Sequence, residues 1–174
     1  MLIKNIDTIY NGHKFRSRLE ARWAIYFDVI GLKWDYEPEG YMLEDGTKYL
    51  PDFWFPQVNM WAEVKRGRFS ENELMKVKGL VKGTKFPCLL LEGKPDERSY
   101  GVVELDKNNK VIVGDSGGCD CVISMYKDYP VNEHRFYSYT GEICDESFTL
   151  MFTDVRSAAQ KANSARFEFG EEGI

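Results

Sequence analysis

The chain has 174 residues, of which 43% are hydrophobic and 14% aromatic, enough to bury a real core and short enough for one domain with a small appendage. It holds no run near the ~20 apolar residues that span a bilayer. Residues Met1 to Asp7 carry an acid early and no long apolar stretch, so no signal peptide is expected. The expected compartment is the cytoplasm, with Cys88, Cys119, Cys121 and Cys144 reduced. The formal net charge of −5, taken alone, speaks against nucleic acid as a partner, yet the distribution matters more than the sum. Lys14, Arg16, Arg18 and Arg22 form one basic group, and Lys65, Arg66, Arg68, Lys76, Lys78, Lys82 and Lys85 a second. Acids gather at Asp35, Glu37, Glu39, Glu44, Asp45 and Asp52, and again toward the C-terminus. This is either a basic surface around an acidic pocket or an ordinary solvated exterior.

In chain order, residues 17–30 read as a helix, because Leu19, Trp23, Tyr26, Phe27 and Ile30 make one apolar stripe between a Ser17 cap and a Gly31 stop. Residues 32–37 alternate and predict a strand that Pro38 ends. Asp45-Gly46 marks a turn. Residues 48–55 and 60–65 predict two strands joined through Pro56 to Asn59. Residues 71–82 predict a helix capped by Ser70, and 86–91 a buried strand. Three consecutive strands suggest a meander and the strand–helix–strand unit a parallel crossover, so the expected class is α/β (α+β) with a mixed sheet and helices against it. Beyond this, residues 101–105 and 111–113 predict a hairpin, 122–126 and 136–139 further strands, and 154–166 a last helix. The core is expected to end near residue 93, giving a core of 1–93 and a β-rich extension of 94–174 packed on it and ending in a helix.

On a strand, i and i+2 point to one face, so Trp61, Glu63 and Lys65 share a side. Asp52 lies eleven positions before Glu63 on the preceding strand, and a hairpin brings the two together. Two carboxylates and an ammonium then converge, a set suited to Mg²⁺ or Mn²⁺, with the Val64 backbone carbonyl as a further oxygen ligand. Such an ion polarises a phosphoryl oxygen and acidifies a bound water, and the lysine orients that water or stabilises developing charge. A surface Glu/Lys pair is the ordinary alternative. Asp52 weighs against it, since a lone acid within Tyr49-Leu50-Pro51-Asp52-Phe53-Trp54-Phe55 is costly to bury without a metal or an arginine beside it. Glu20 sits at the edge of the first helix's apolar stripe, but Ser17-Arg18-Leu19-Glu20 also fits a capping box. Cys119, Cys121, His134 and Cys144 have poor spacing for structural zinc, which is not expected.

Four blocks, Phe15 to Ala24, Trp34 to Gly40, Tyr49 to Trp54 and Trp61 to Lys65, resemble phage-type PD-(D/E)xK nucleases over roughly residues 10 to 93. The resemblance implies a restriction-endonuclease-like α-β-β-β-α-β core. It implies Asp52 and Glu63 as metal ligands, Lys65 as the catalytic lysine and Glu20 as a helix-borne acid joining the site. The implied activity is Mg²⁺-assisted hydrolysis of DNA, on branched or nicked substrates in phage recombination, replication or packaging, in the host cytoplasm. A catalytically silent binding module and an RNA-directed nuclease are the rivals. Arg16, Arg18, Arg22, Arg66, Arg68, Lys76, Lys78 and Lys82 are candidate phosphate contacts, and a homodimer is expected if both strands are cut. Glu37 and Glu39 fit a recurrent block without a defined role, and Arg166 to Gly170 resembles a tail of such proteins without a mechanism.

Overall fold

The computed structural model describes residues 8–96, 100–114, 123–125, 133–136, 148–149 and 155–167. It begins with a hairpin of β1 (Thr8–Tyr10) and β2 (His13–Phe15), which the sequence reading passes over. The signal is present: Asn11-Gly12, both at positive φ (47° and 78°), is the pair that turns two strands with the twist they need. Helix α1 (Arg18–Ile30) follows, capped by Ser17 and stopped by Gly31 in the left-handed conformation, as the stripe and its flanks predict.

The predicted strand over 32–37 shrinks to β3 (Asp35–Tyr36). Leu32 is consumed by the helix stop, its N–H donating to the Phe27 carbonyl, and the Lys33 N–H goes to the Gln57 side chain. The predicted strand over 48–55 is two strands, because Pro51 has no N–H to give a ladder. Its first part, β5 (Lys48–Tyr49), pairs with β4 (Tyr41–Met42) in a separate hairpin. Its second part, β6 (Phe53–Phe55), pairs antiparallel with β7 (Met60–Lys65). Helix α2 (Glu71–Thr84) carries a full capping box from Ser70 and Glu73, and β8 (Cys88–Glu92) returns parallel to β7. Then come β9 (Gly101–Leu105), β10 (Val111–Gly114), a three-stranded antiparallel set of β11 (Ile123–Met125), β12 (Glu133–Phe136) and β13 (Phe148–Thr149), and α3 (Val155–Ser164).

The main sheet runs β10-β9-β8-β7-β6-β3, parallel at β7–β8 and antiparallel elsewhere. The protein is therefore a mixed α and β structure with a mixed sheet and, among the described residues, three helices. The sheet continues past residue 93. β9 and β10 extend the same sheet, and α3 packs its small side chains Ala158, Ala159 and Ala162 against α1 in the same core. The chain after residue 93 thus shares the sheet and the core with the part before it. Strand alternation divides β7 between two cores. Met60, Ala62 and Val64 join Trp23, Phe27, Ile30, Phe53 and Phe55 on the α1 side. Trp61 joins Val77, Leu80, Val81, Cys88 and Leu90 on the α2 side. Each fully buried large side chain contributes about 1.5–3 kcal/mol, so the sheet is anchored on both faces. None of the described helices is long and apolar enough to cross a membrane.

Gly79 and Gly83 interrupt α2, and their surroundings differ. A Cβ at Gly83 meets nothing within 4 Å, whereas one at Gly79 lies 3.2 Å from the Leu43 side chain of the β4–β5 hairpin. Gly83→Ala is expected to raise stability by about 0.5–1 kcal/mol in urea unfolding, from helix propensity alone. Gly79→Ala should gain less, because Leu43 must move.

Candidate functional site

The β6–β7 ladder ends at Phe53 opposite Ala62, so the N–H of Val64 lies beyond the last paired rung. The Asp52 side chain takes that place: its Oδ2 accepts the Val64 N–H at 2.7 Å. The Asp52 carbonyl accepts from the Glu37 N–H at 2.9 Å. Asp52 is thereby fixed from both sides, by its carboxylate on β7 and by its backbone on the turn after β3. Glu37 holds a positive φ of 46°, which is rare for a residue with a side chain, and its carboxylate pairs with Arg16. The Glu37 block thus has a physical role that sequence reading leaves undefined: it braces Asp52 and anchors Arg16. Glu39 is exposed and accepts from the Tyr41 hydroxyl at 3.4 Å.

Glu63 and Lys65 face α2 together, as parity predicts. Glu63 is only 5% exposed, and its Oε1 meets the Lys65 Nζ at 2.9 Å. Lys65 also reaches Glu73 in the first turn of α2, at 3.6 Å. Burial alone would lower the lysine's pKa, but Glu63, Asp52 and Glu73 outweigh it and hold it above the ordinary value. The ammonium is therefore charged at neutral pH. The Asp52 carboxyl is pushed well up, by burial first, then by Glu63 and Glu20, against the opposing pull of the Val64 N–H and Lys65. The site has more negative charge than its one lysine neutralises.

The second oxygen of Glu63, Oε2, is buried without a hydrogen-bond partner, and so is the hydroxyl of Tyr49 on β5. An unpaired buried polar atom costs about 1–3 kcal/mol. A hard divalent cation satisfies such an oxygen and relieves the repulsion between Asp52 and Glu63. The donor set, two carboxylates with the Val64 carbonyl nearby in the chain, fits Mg²⁺ or Mn²⁺.

Glu20 comes near but is engaged elsewhere. Its Oε1 accepts from the Ser17 hydroxyl at 2.6 Å, and its Oε2 from the Tyr36 hydroxyl at 2.5 Å and the Arg16 N–H at 3.2 Å. Its own N–H donates to Ser17 Oγ, so the capping reading and the acid-near-the-site reading are both partly realised. Glu20 lies close enough to raise the Asp52 pKa, but among the described residues no three His, Cys, Asp or Glu side chains are arranged to hold a metal. Tyr36, which ties Glu20 to β3, stands in the Trp34 to Gly40 block, where the sequence assigns it no role.

The basic residues fall into two groups. Arg66, Arg68 and Lys76 are exposed, and Lys78 is half-buried. Arg16 is tied to Glu37, and Lys82 to Glu44 at 2.6 Å. Arg18 and Arg22 donate to the carbonyls of Phe167 and Ala165, and the Arg22 guanidinium lies 5.6 Å from the centre of the Phe167 ring. These arginines hold Ala165 and Phe167, after α3, onto α1. Residues 168–170 of that tail, Cys119, Cys121, Cys144 and the side chain of His134 lie outside the described residues.

Against known proteins, the chain matches no family model and no curated protein.

Proposed function

We propose that this protein is a metal-dependent endonuclease of the PD-(D/E)xK kind that hydrolyses phosphodiester bonds in DNA. The order α1-β3-β6-β7-α2-β8 supports a restriction-endonuclease-like core. The observation that carries the reading is the meeting of Asp52, Glu63 and Lys65 across one hairpin, with a buried Glu63 oxygen left unpartnered. Asp52, Glu63 and the Val64 carbonyl would hold Mg²⁺ or Mn²⁺. The cation, when bound, supplies Lewis acidity at the phosphoryl group and a more acidic water. Lys65, charged and held by Glu63, stabilises negative charge that develops on the phosphate. Arg66, Arg68 and Lys76 are exposed close by in sequence and would meet the backbone of the nucleic acid. The preferred context is phage-encoded processing of branched or nicked DNA in the host cytoplasm, with a homodimer where both strands are cut.

The test is cleavage of duplex, nicked, flapped, four-way and single-stranded DNA, and of RNA, with Mg²⁺ or Mn²⁺. No cleavage of any substrate sinks the enzyme reading, and cleavage of RNA alone moves it to the RNA-directed form. A second reading, a nuclease fold that binds without cutting, draws on one observation: Glu20 has both oxygens occupied by its own helix cap and Tyr36. Cleavage by the unsubstituted protein excludes this second reading, and Glu20→Gln then tests whether Glu20 belongs to the site. It is expected to lower cleavage about 10- to 100-fold, the scale for a group that bears on a metal site from its outer shell. Unchanged cleavage with a lower melting temperature would leave Glu20 as a helix cap only.

A further inference from the structure

We propose that Tyr49 is a positioning residue, whose hydroxyl orients the Glu63 carboxylate toward the cation; this rests on the metal-dependent reading above. Tyr49 ends β5, and it packs against the cluster on the α2 side of the sheet that contains Trp61, Cys88 and Leu90. That puts a tyrosine from the small hairpin over the face of β7 that carries Glu63. Its hydroxyl oxygen is buried and has no partner, and the Glu63 Oε2 is buried and has none. Tyr49 packs against the cluster that holds Trp61, and Glu63 shares the face of β7 with Trp61. A phenol hydroxyl is both a donor and an acceptor, so it can give its proton to a carboxylate oxygen.

The geometry of Glu63 leaves one degree of freedom for this donor to remove. Lys65 holds Oε1 at 2.9 Å, which leaves rotation of the carboxylate about that contact as the way to turn Oε2. A carboxylate oxygen accepts two partners, so Oε2 can receive the Tyr49 proton on one lone pair and present the other to a cation. Binding would then pair two polar atoms that the cation-free protein leaves unpaired. Loss of an outer partner of this kind weakens metal binding about 10- to 100-fold in metal sites generally.

The experiment compares the full chain with Tyr49→Phe and with Tyr41→Phe, whose hydroxyl lies near the exposed Glu39 instead. Three quantities are read: melting temperature in EDTA, affinity for Mn²⁺ alone by calorimetry, and kcat and KM on a cleaved DNA. Tyr49→Phe removes an unpartnered buried hydroxyl and keeps the ring, so its melting temperature in EDTA is expected to be unchanged or higher. Its Mn²⁺ affinity is expected to fall at least tenfold, with kcat falling and KM for DNA unchanged. Tyr41→Phe should leave all three as they were. Equal Mn²⁺ affinity in the unsubstituted protein and Tyr49→Phe overturns the proposal while the metal reading stands. So does a loss of affinity accompanied by a lower melting temperature, which marks a merely structural hydroxyl. If the unsubstituted protein binds no Mn²⁺, the metal reading fails and takes the role of Tyr49 with it.

Discussion

Glu63→Gln is expected to reduce Mg²⁺-dependent cleavage by at least about 100-fold while leaving the chain folded, because the amide keeps the shape and loses the charge that a hard cation needs. The side chain is 5% exposed, touches Lys65 and lies close enough to Asp52 to raise its pKa, so its charge acts in a weakly screened setting. The substitution also removes the partner that holds the Lys65 ammonium at 2.9 Å, so two parts of the site are affected together. Partial recovery at high Mg²⁺ is expected if Glu63 is a direct ligand, since losing a ligand weakens cation binding. Full recovery by raising Mg²⁺ would assign Glu63 to affinity alone. Cleavage equal to that of the unsubstituted protein would remove Glu63 from the mechanism and leave the Glu63–Lys65 pair as a structural contact.

Asp52→Asn should stabilise the cation-free protein at neutral pH while destroying activity. In the folded protein the Asp52 carboxyl has a raised pKa, through burial first and then through Glu63 and Glu20. A carboxyl that binds its proton more tightly folded than unfolded adds stability at pH below its ordinary value. That contribution disappears as pH rises through the folded pKa. The unsubstituted protein in EDTA is therefore expected to lose stability relative to Asp52→Asn between acid and neutral pH. Asparagine can still accept the Val64 N–H that Asp52 now holds at 2.7 Å, so the brace survives and the repulsion goes. The gap at pH 7 is expected to be on the order of 1–2 kcal/mol. In a chain of this size each kcal/mol moves the melting temperature by about 2–4 °C. Adding Mg²⁺ should reverse the order, since only the unsubstituted protein gains stability by binding. An Asp52→Asn variant that melts lower than the unsubstituted protein at pH 7 in EDTA would show that the aspartate is structural.

Much of the fold was legible along the chain because the signals were local. The α1 stripe with Ser17 and Gly31, the α2 box of Ser70 and Glu73, and the run over Met60 to Lys65 each fix their own element by periodicity and capping. The failures were where pairing partners decide. Residues 48–55 look like one strand until Pro51 and the β4–β5 hairpin split them, and the six-stranded sheet shows that the chain after residue 93 shares the core. Residues 8–15 were missed although Asn11-Gly12 was there to be read.

Parity by itself determined that Glu63 and Lys65 face one way, and apolar surroundings by themselves marked Asp52 as an acid in need of a partner. Which partner it has was decided in three dimensions: the ladder ends at Ala62, and the Val64 N–H beyond it takes the carboxylate. Tertiary structure also decided the state of Glu20, since Tyr36 arrives from another strand to hold it. It alone brought the Tyr49 hydroxyl over the Glu63 face. The physical reason is the same in each case. Caps and alternation act over a few residues, whereas a buried charge is set by whatever the distant chain places beside it.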